Sequence, residues 1–443
     1  MSRRVAIVTL GCKTNQFESA AISEQLQQAG YRLVPFEDGA ELVIVNSCTV
    51  TAATDAQSRK LIRRARRLNE QARVVVTGCY AQVDAETLAS LPGVALVVGN
   101  REKEDFLNQL TALDGTPGRI AVGDIRQAKR ARPLALSSFE QRSRAFVQIQ
   151  NGCDAFCSYC IIPYARGRSR SVAVAEVVEQ VQVLTEAGHA ELVLTGIHIG
   201  NYGHDLLPAA TLLDLLKEIR AHSSVRRLRL GSLEPTEIPP ALREYLAACD
   251  WICPHYHIPL QSGDDGILQR MNRHYSTAFF AELVADIRRR QPRAAIGLDL
   301  IVGFPGESDA SFERSFAFIE SLPVTHLHVF PYSRRSGTPA AGMPDQVAAE
   351  VARERAARLR ALADEKQQDF ARSFIGRTLE IVVEGGGSEN LRKGLSENYL
   401  PVCLPSDQVA AGDCVKARIV GFEGGQLRGE VVAPPLSGVL TSR

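Results

Sequence analysis

Over roughly the first 110 residues, short apolar runs alternate with amphipathic stretches, the pattern expected of a parallel sheet wrapped by helices. Three of those runs are VAIVTL (5–10), ELVIVNS (41–47) and RVVVTG (73–78). Residues 115–143 break the rhythm: DGTPG is turn-like, and IRQAKRARP is basic and ends in proline, so the segment reads as a linker. From Phe146 a strand-helix rhythm returns and repeats six times, with strands expected near AFVQIQ, ELVLTG, RRLRLG, HYHIPL, AIGLDLIVG and HLHVFPY. Helical stretches such as VAEVVEQVQVLTEAG and AFFAELVADIRRR fill the gaps, which predicts a partial (β/α)6 TIM barrel open on one side. A charged helical stretch over 346–374 then leads into GRTLEIVVE, DCVKARIVGF and LRGEVV, short alternating runs that read as a small all-β, OB-like domain. The expectation is therefore an α/β multidomain chain: a Rossmann-like domain over 1–114, a linker over 115–143, a barrel over 144–372 and a small β domain over 373–438.

At 443 residues the chain has room for these units with ample core. Its 51 basic and 50 acidic residues nearly cancel, so any nucleic-acid binding must come from local patches and not from an overall field. The apolar run Val5–Leu10 is too short for a signal peptide, and no run approaches transmembrane length. A cytoplasmic, reducing location without membrane contact is expected, and it suits oxygen-sensitive chemistry.

The sharpest chemical signal is NGCDAFCSYCIIPYARGRSRS (151–171), in which Cys153, Cys157 and Cys160 are spaced to converge from one loop. Soft thiolates select zinc, cuprous copper or iron-sulfur clusters. Zinc wants four compact ligands, and no fourth Cys or His follows at the usual distance. A disulfide does not fit a long chain with few cysteines. A cubane cluster held by three cysteines leaves one iron open, which makes it a reactive centre rather than a staple. The loop also follows the first strand of the barrel, at the face where such folds carry function.

Cys12, Cys48 and Cys79 each stand just past one of the three N-terminal strands. Singly, each reads as a small buried hydrophobe. Their shared position at the C-terminal sheet edge, where parallel α/β sheets bind ligands, makes a second triad an equal reading. Cys249, Cys253, Cys403 and Cys414 are expected to be structural, as are His255 and His257, which alternate within one strand so that one of them can face the barrel interior.

The Cys-x3-Cys-x2-Cys loop followed by six βα units resembles the radical S-adenosylmethionine (SAM) superfamily. CSYCIIPYARGRSRS, with TLGCKTNQFES (9–19), VNSCTVT (45–51) and VTGCYAQ (76–82), resembles its methylthiotransferase branch, whose members add an N-terminal three-cysteine domain and a C-terminal TRAM domain. Three subfamilies share that plan, acting on isopentenyladenosine in tRNA, on threonylcarbamoyladenosine in tRNA, or on an aspartate of a ribosomal protein. The LGCKTNQFE opening and HYHIPLQSGDDGILQRMNRHY (255–275) are most similar to the threonylcarbamoyladenosine group. A non-enzyme alternative is an RNA-binding protein whose cysteines hold zinc or one structural cluster.

The resemblance implies two 4Fe–4S clusters, on Cys153/Cys157/Cys160 and on Cys12/Cys48/Cys79, and two uses of SAM. One SAM, chelated at the open iron, is cleaved by an electron from a reductant such as flavodoxin or ferredoxin to give a 5'-deoxyadenosyl radical. Another donates a methyl group to a sulfur on the N-terminal cluster, and the methylthio group passes to carbon 2 of adenosine 37 in the anticodon loop. Expected SAM contacts are Tyr159, Gly196, Ser232, Glu234 and Glu307. Expected RNA contacts are Arg166, Arg168, Arg170 and Lys13, together with the basic stretch SRKLIRRARR (58–67) and the β domain. Leu395, in GLSENYLPV, stands where relatives often have an aromatic and is expected to weaken one RNA contact.

Overall fold

A computed structural model describes residues 3–112, 117–132, 134–139 and 143–433. The expected boundary at 114/115, Pro133 of the linker and the end of the last domain at 434–438 lie outside the described residues.

The N-terminal sheet has six parallel strands: β1 (Arg4–Thr9), β2 (Arg32–Leu33), β3 (Leu42–Ser47), β4 (Arg73–Gly78), β5 (Val94–Val98) and β6 (Arg119–Ala121), in the order β2-β1-β3-β4-β5-β6. The strand order reverses between β1 and β3, and ligands of open α/β sheets bind at such a reversal, outside the carboxyl ends of the strands. Cys12 follows β1 and Cys48 follows β3, so the two flank that crevice. The expected linker is corrected here, because its early residues pair with β5 as the edge strand β6. Three residues are too few to show a period in the sequence.

The barrel strands are β7 (Arg144–Gln148), β10 (Glu191–Thr195), β11 (Leu228–Leu230), β12 (His255–His257), β13 (Ala295–Val302) and β14 (His326–Pro331). They form two parallel three-stranded sheets, β7-β10-β11 and β12-β13-β14, joined by isolated bridges Leu228↔Ile252 and Ser232↔His257. After β7 an antiparallel pair, β8 (Gln150–Asn151) with β9 (Arg170–Ser171), closes the base of the cysteine loop. The helix Lys13–Gln28 of the first domain packs along β7, and across the junction Phe139 meets Phe17 in a tilted contact at 6.4 Å and Phe146 edge to face at 5.5 Å.

The C-terminal unit is a closed five-stranded barrel, β15 (Thr378–Ser388), β16 (Leu391–Ser396), β17 (Pro401–Pro405), β18 (Cys414–Glu423) and β19 (Gln426–Ala433), in the order β15-β16-β17-β19-β18. It docks beneath the central barrel. Buried Glu191 on β10 pairs with Arg229 of β11 (2.8 Å) and with Arg227 just before it (2.6 Å), and these arginines donate to the carbonyls of Leu395, Ser396 and Glu397. Leu395 is buried at this joint, so its expected effect on RNA contact is corrected: its main chain serves domain docking. Tyr399, at φ 64°, turns its ring into the base of the barrel and stacks on His255 at 4.5 Å. Among the described residues no helix is long and apolar enough to cross a membrane.

Candidate active site

The loop after β7 can turn only because residue 152 is glycine. Gly152 sits at φ +76°, and a Cβ there would lie 1.8 Å from the Arg168 carbonyl oxygen. The loop returns Cys153, Cys157 and Cys160 toward one point, with N–H donors trained on the sulfurs. Ala155 N donates to Cys153 Sγ at 3.4 Å, and Arg273 Nη1 to Cys157 Sγ at 3.4 Å. His198 Nδ1 lies 3.5 Å from Cys153 Sγ, while its other nitrogen lies 2.7 Å from Glu237. Burial pushes the Cys160 thiol up, and Cys157 adds to the shift, so three mutually repelling sulfurs share one low-dielectric place.

The N-terminal triad is assembled by two more glycines. Gly11 (φ +93°) precedes Cys12, and a Cβ there would lie 2.8 Å from both Cβ and Sγ of Cys48. Gly78 (φ +96°) precedes Cys79, where a Cβ would lie 2.2 Å from Ser47 O. Asn15 ties the strand ends together by donating to Leu10 O (2.7 Å) and Ser47 O (3.0 Å). Burial raises the Cys48 thiol to about 11, with Cys79 and Cys12 adding to the shift.

Among the described residues no three cysteine sulfurs lie within 4.8 Å of one another. Thiolates on one tetrahedral zinc, with Zn–S of ~2.3 Å, stand ~3.8 Å apart, so both triads are too open for a single zinc ion. A donor set of three spread thiols backed by N–H groups fits a polynuclear iron-sulfur cluster, whose sulfurs accept such hydrogen bonds.

Arg166 joins the two triads. It follows the cysteine loop yet reaches into the first domain, donating from Nε to Cys79 Sγ (3.2 Å) and from its other nitrogens to Glu18 and Asn15. Lys103 holds the second oxygen of Glu18 at 2.6 Å. Burial works against the Glu18 carboxylate, but these two cations outweigh it and hold its pKa to about 2. Arg166 is fully buried, and its expected contact with RNA phosphates is corrected on that ground. Arg170 is also buried, donating to the carbonyls of Arg166 and Arg168. Of the three arginines only Arg168 is exposed, beside Asp154 and over the Phe156 ring. Lys13 does not sit on an outer basic face; its ammonium lies 6.0 Å over the Tyr399 ring, inside the barrel.

A cavity of about 230 Å³ lies between the domains, lined by Tyr159, Cys160, Asp299 and Phe330 from the barrel and by Val50 and Thr51, which follow Cys48. A second buried pair, Arg335 with Asp55 at 2.6 Å and both with Thr49, fixes its rim. Of the expected SAM contacts, Tyr159 forms a wall of this cavity. Glu234 is paired with Arg273, the arginine on Cys157. Ser232 lies 2.6 Å from His257 Nδ1. Gly196 is required by packing, since a Cβ there would lie 2.7 Å from Ile199 Cγ2. Glu307 is buried; its Oε1 accepts from Gly303 N (2.8 Å) and pairs with Arg355 (2.7 Å), closing the turn after β13.

Cys253 lies 3.6 Å from Glu191 and Cys403 donates to Gln426 at 2.8 Å, while Cys249 and Cys414 are packed away from both triads. His255 and His257 both face inward, one meeting His326 and the other Asp299. Glu18, Lys103 and Arg273 were not legible in the sequence, since each is paired by contacts far apart along the chain. Asp299 carries a weak signal, as the one carboxylate in an otherwise apolar strand.

Residues 4–99 match the uncharacterized protein family UPF0004, and residues 147–319 match the radical SAM superfamily. Over 94% of its length the chain is 40% identical to the threonylcarbamoyladenosine tRNA methylthiotransferase MtaB of Bacillus subtilis, covering 93% of that protein. It is 32% identical to the tRNA-2-methylthio-N(6)-dimethylallyladenosine synthase of Moorella thermoacetica, covering 96% of this chain and 98% of that one. Among solved structures, the radical SAM methyltransferase TsrM from Kitasatospora setae superposes with a TM-score of 0.54 over 77% of each chain at 19% identity, a likeness of fold.

Proposed function

Because the chain belongs to the radical SAM methylthiotransferase family, we propose that it converts threonylcarbamoyladenosine 37 in the anticodon loop of tRNA to its 2-methylthio derivative. Cys153, Cys157 and Cys160 would hold one 4Fe–4S cluster, and Cys12, Cys48 and Cys79 the other. When bound, these clusters supply the electron for SAM cleavage and a site for the sulfur that is transferred. The chain's own residues bind and orient. Arg273, locked by Glu234, keeps an N–H on Cys157, and Arg166, locked by Glu18, keeps one on Cys79. Tyr159 and Phe330 give the cavity apolar walls that keep water from a reactive intermediate.

The observation that carries this reading is the shared cavity: Cys160 borders it from one side, and the segment just after Cys48 from the other. An adenine in this cavity would lie between the cluster that Cys153, Cys157 and Cys160 would hold and the one that Cys12, Cys48 and Cys79 would hold, within reach of the chemistry of both. RNA is held by Arg168, by the exposed Lys60, Arg63 and Arg67 of the helix Ala52–Leu68, and by the C-terminal barrel acting as a TRAM domain. A small reductant such as flavodoxin or ferredoxin supplies electrons, and the protein works in the cytoplasm.

Deleting the gene and measuring tRNA nucleosides by mass spectrometry tests the substrate. The methylthio form of threonylcarbamoyladenosine should disappear, its unmodified precursor should accumulate, and the gene in trans should restore it. Persistence of that nucleoside with loss of methylthio-isopentenyladenosine would move the protein to the other tRNA branch.

A further inference from the structure

The inside of a (β/α) barrel is normally filled with branched apolar side chains; here one inner wall is polar and open. On β14, Leu327 and Val329 are buried, whereas His328 and Phe330 on the alternate face are about half exposed. At the level of His328, His257 of β12 and Asp299 of β13 complete a cluster whose ligand atoms lie within 4.8 Å. Asp299 Oδ1 lies 3.0 Å from His257 Nε2 and 3.1 Å from His328 Nδ1, and Ser232 Oγ lies 2.6 Å from His257 Nδ1. That arrangement leaves His328 Nε2 as the one ring nitrogen of the pair without a protein partner among the described residues. Asp299 and Phe330 both line the cavity that Cys160 borders.

A second observation concerns charge. Lys13 lies over Tyr399, whose ring stacks on His326 at 6.3 Å, and His326 in turn lies 5.5 Å from His328; no carboxylate among the described residues forms an ion pair with Lys13. The carboxylate that influences it, Glu191, is already shared by Arg144, Arg227 and Arg229. A partly desolvated cation without a counter-ion calls for an anion. Burial disfavours the Asp299 carboxylate, yet hydrogen bonds from His257 and His328 outweigh this and hold its pKa below the ordinary range.

We infer that this interior wall is the pocket for the N6 substituent of the substrate adenosine, that Phe330 faces the base, and that Lys13 and His328 select a substituent ending in a carboxylate. The inference rests on the threonylcarbamoyladenosine reading and adds to it the residues that enforce the choice. An isopentenyl group offers these donors nothing and leaves them desolvated and unpaired, which is how buried polar groups reject an analogue.

The test compares anticodon stem-loop RNAs bearing threonylcarbamoyladenosine with the same RNAs whose carboxylate is capped as the methyl amide. The wild-type holoenzyme should prefer the free acid about 10- to 100-fold in kcat/KM, mainly through KM, as expected for one or two charge-assisted hydrogen bonds. In His328→Gln and in Lys13→Met the ratio should fall toward one. Because the ratio compares two substrates on one enzyme sample, partial loss of folded protein cancels. A wild-type ratio near one, or a ratio unchanged in both variants, would overturn the pocket assignment while leaving the substrate reading intact. A wild-type enzyme that acts on isopentenyladenosine RNA and on neither of these would overturn the substrate reading as well. A tightly held divalent ion other than iron, lost in Asp299→Asn, would make the cluster a metal site and also overturn the inference.

Discussion

Replacing Arg166 with methionine should strip the N-terminal triad of its cluster and destabilise the protein by about 3 kcal/mol. The side chain is fully buried, and its partners Glu18 and Lys103 are nearly so. Removing one member of such a group leaves a desolvated charge uncompensated, which costs about 3–5 kcal/mol; the surviving Lys103–Glu18 contact places the value at the lower end. The same change withdraws the N–H from Cys79 and frees Asn15, the residue that ties the ends of β1 and β3. Iron in anaerobically reconstituted protein should fall from about eight per chain toward about four, the content of one cubane. A shifted melting transition should accompany it. Arg168→Met, at an exposed position, should change stability by less than ~0.5 kcal/mol and weaken RNA binding instead. Should Arg166→Met keep its iron and lose only RNA affinity, the buried-link account of this residue would be wrong.

The second large effect separates the two triads. Cys157→Ala should abolish SAM cleavage, because the loop at 152–169 then lacks one of the three sulfurs that would hold its cluster. Cys48→Ala should still yield 5'-deoxyadenosine and methionine from SAM, yet form no methylthio nucleoside. Each variant should retain about half the iron. Loss of SAM cleavage in Cys48→Ala, with its iron at half, would mean that the triads do not act as separate centres.

Much of this was legible in the sequence, for identifiable reasons. All six barrel strands were legible: four are apolar runs, while RRLRLG and HYHIPL are marked by alternation and by the glycine or proline that bounds them. The three N-terminal cysteines were placed by the strands that precede them. The C-terminal barrel was recognised from three of its five strands. β16 and β17 were hidden because RKGLS and PVCLP are short and broken by charge or proline, and closure of the barrel comes from pairing across distant segments. The arginines were misjudged for a deeper reason. Arg166, Arg168 and Arg170 look alike in a list of charges, and only the tertiary placement of Glu18, 148 residues away, turns the first of them inward. The ion pair of Glu307 was hidden similarly, its turn being closed by Arg355 of a later helix. A local pattern reports periods and turns, whereas a buried ion pair depends on what the fold brings opposite.

The central claim is that two cysteine triads act on one adenine across one cavity. Its most direct measurement is product stoichiometry in anaerobically reconstituted enzyme given SAM, a reductant, a sulfur source and RNA bearing threonylcarbamoyladenosine. The account predicts that 5'-deoxyadenosine, S-adenosylhomocysteine and the methylthio nucleoside accumulate together, close to one of each per turnover. Methylthio nucleoside formed without 5'-deoxyadenosine, or formed equally well by Cys48→Ala, would contradict it.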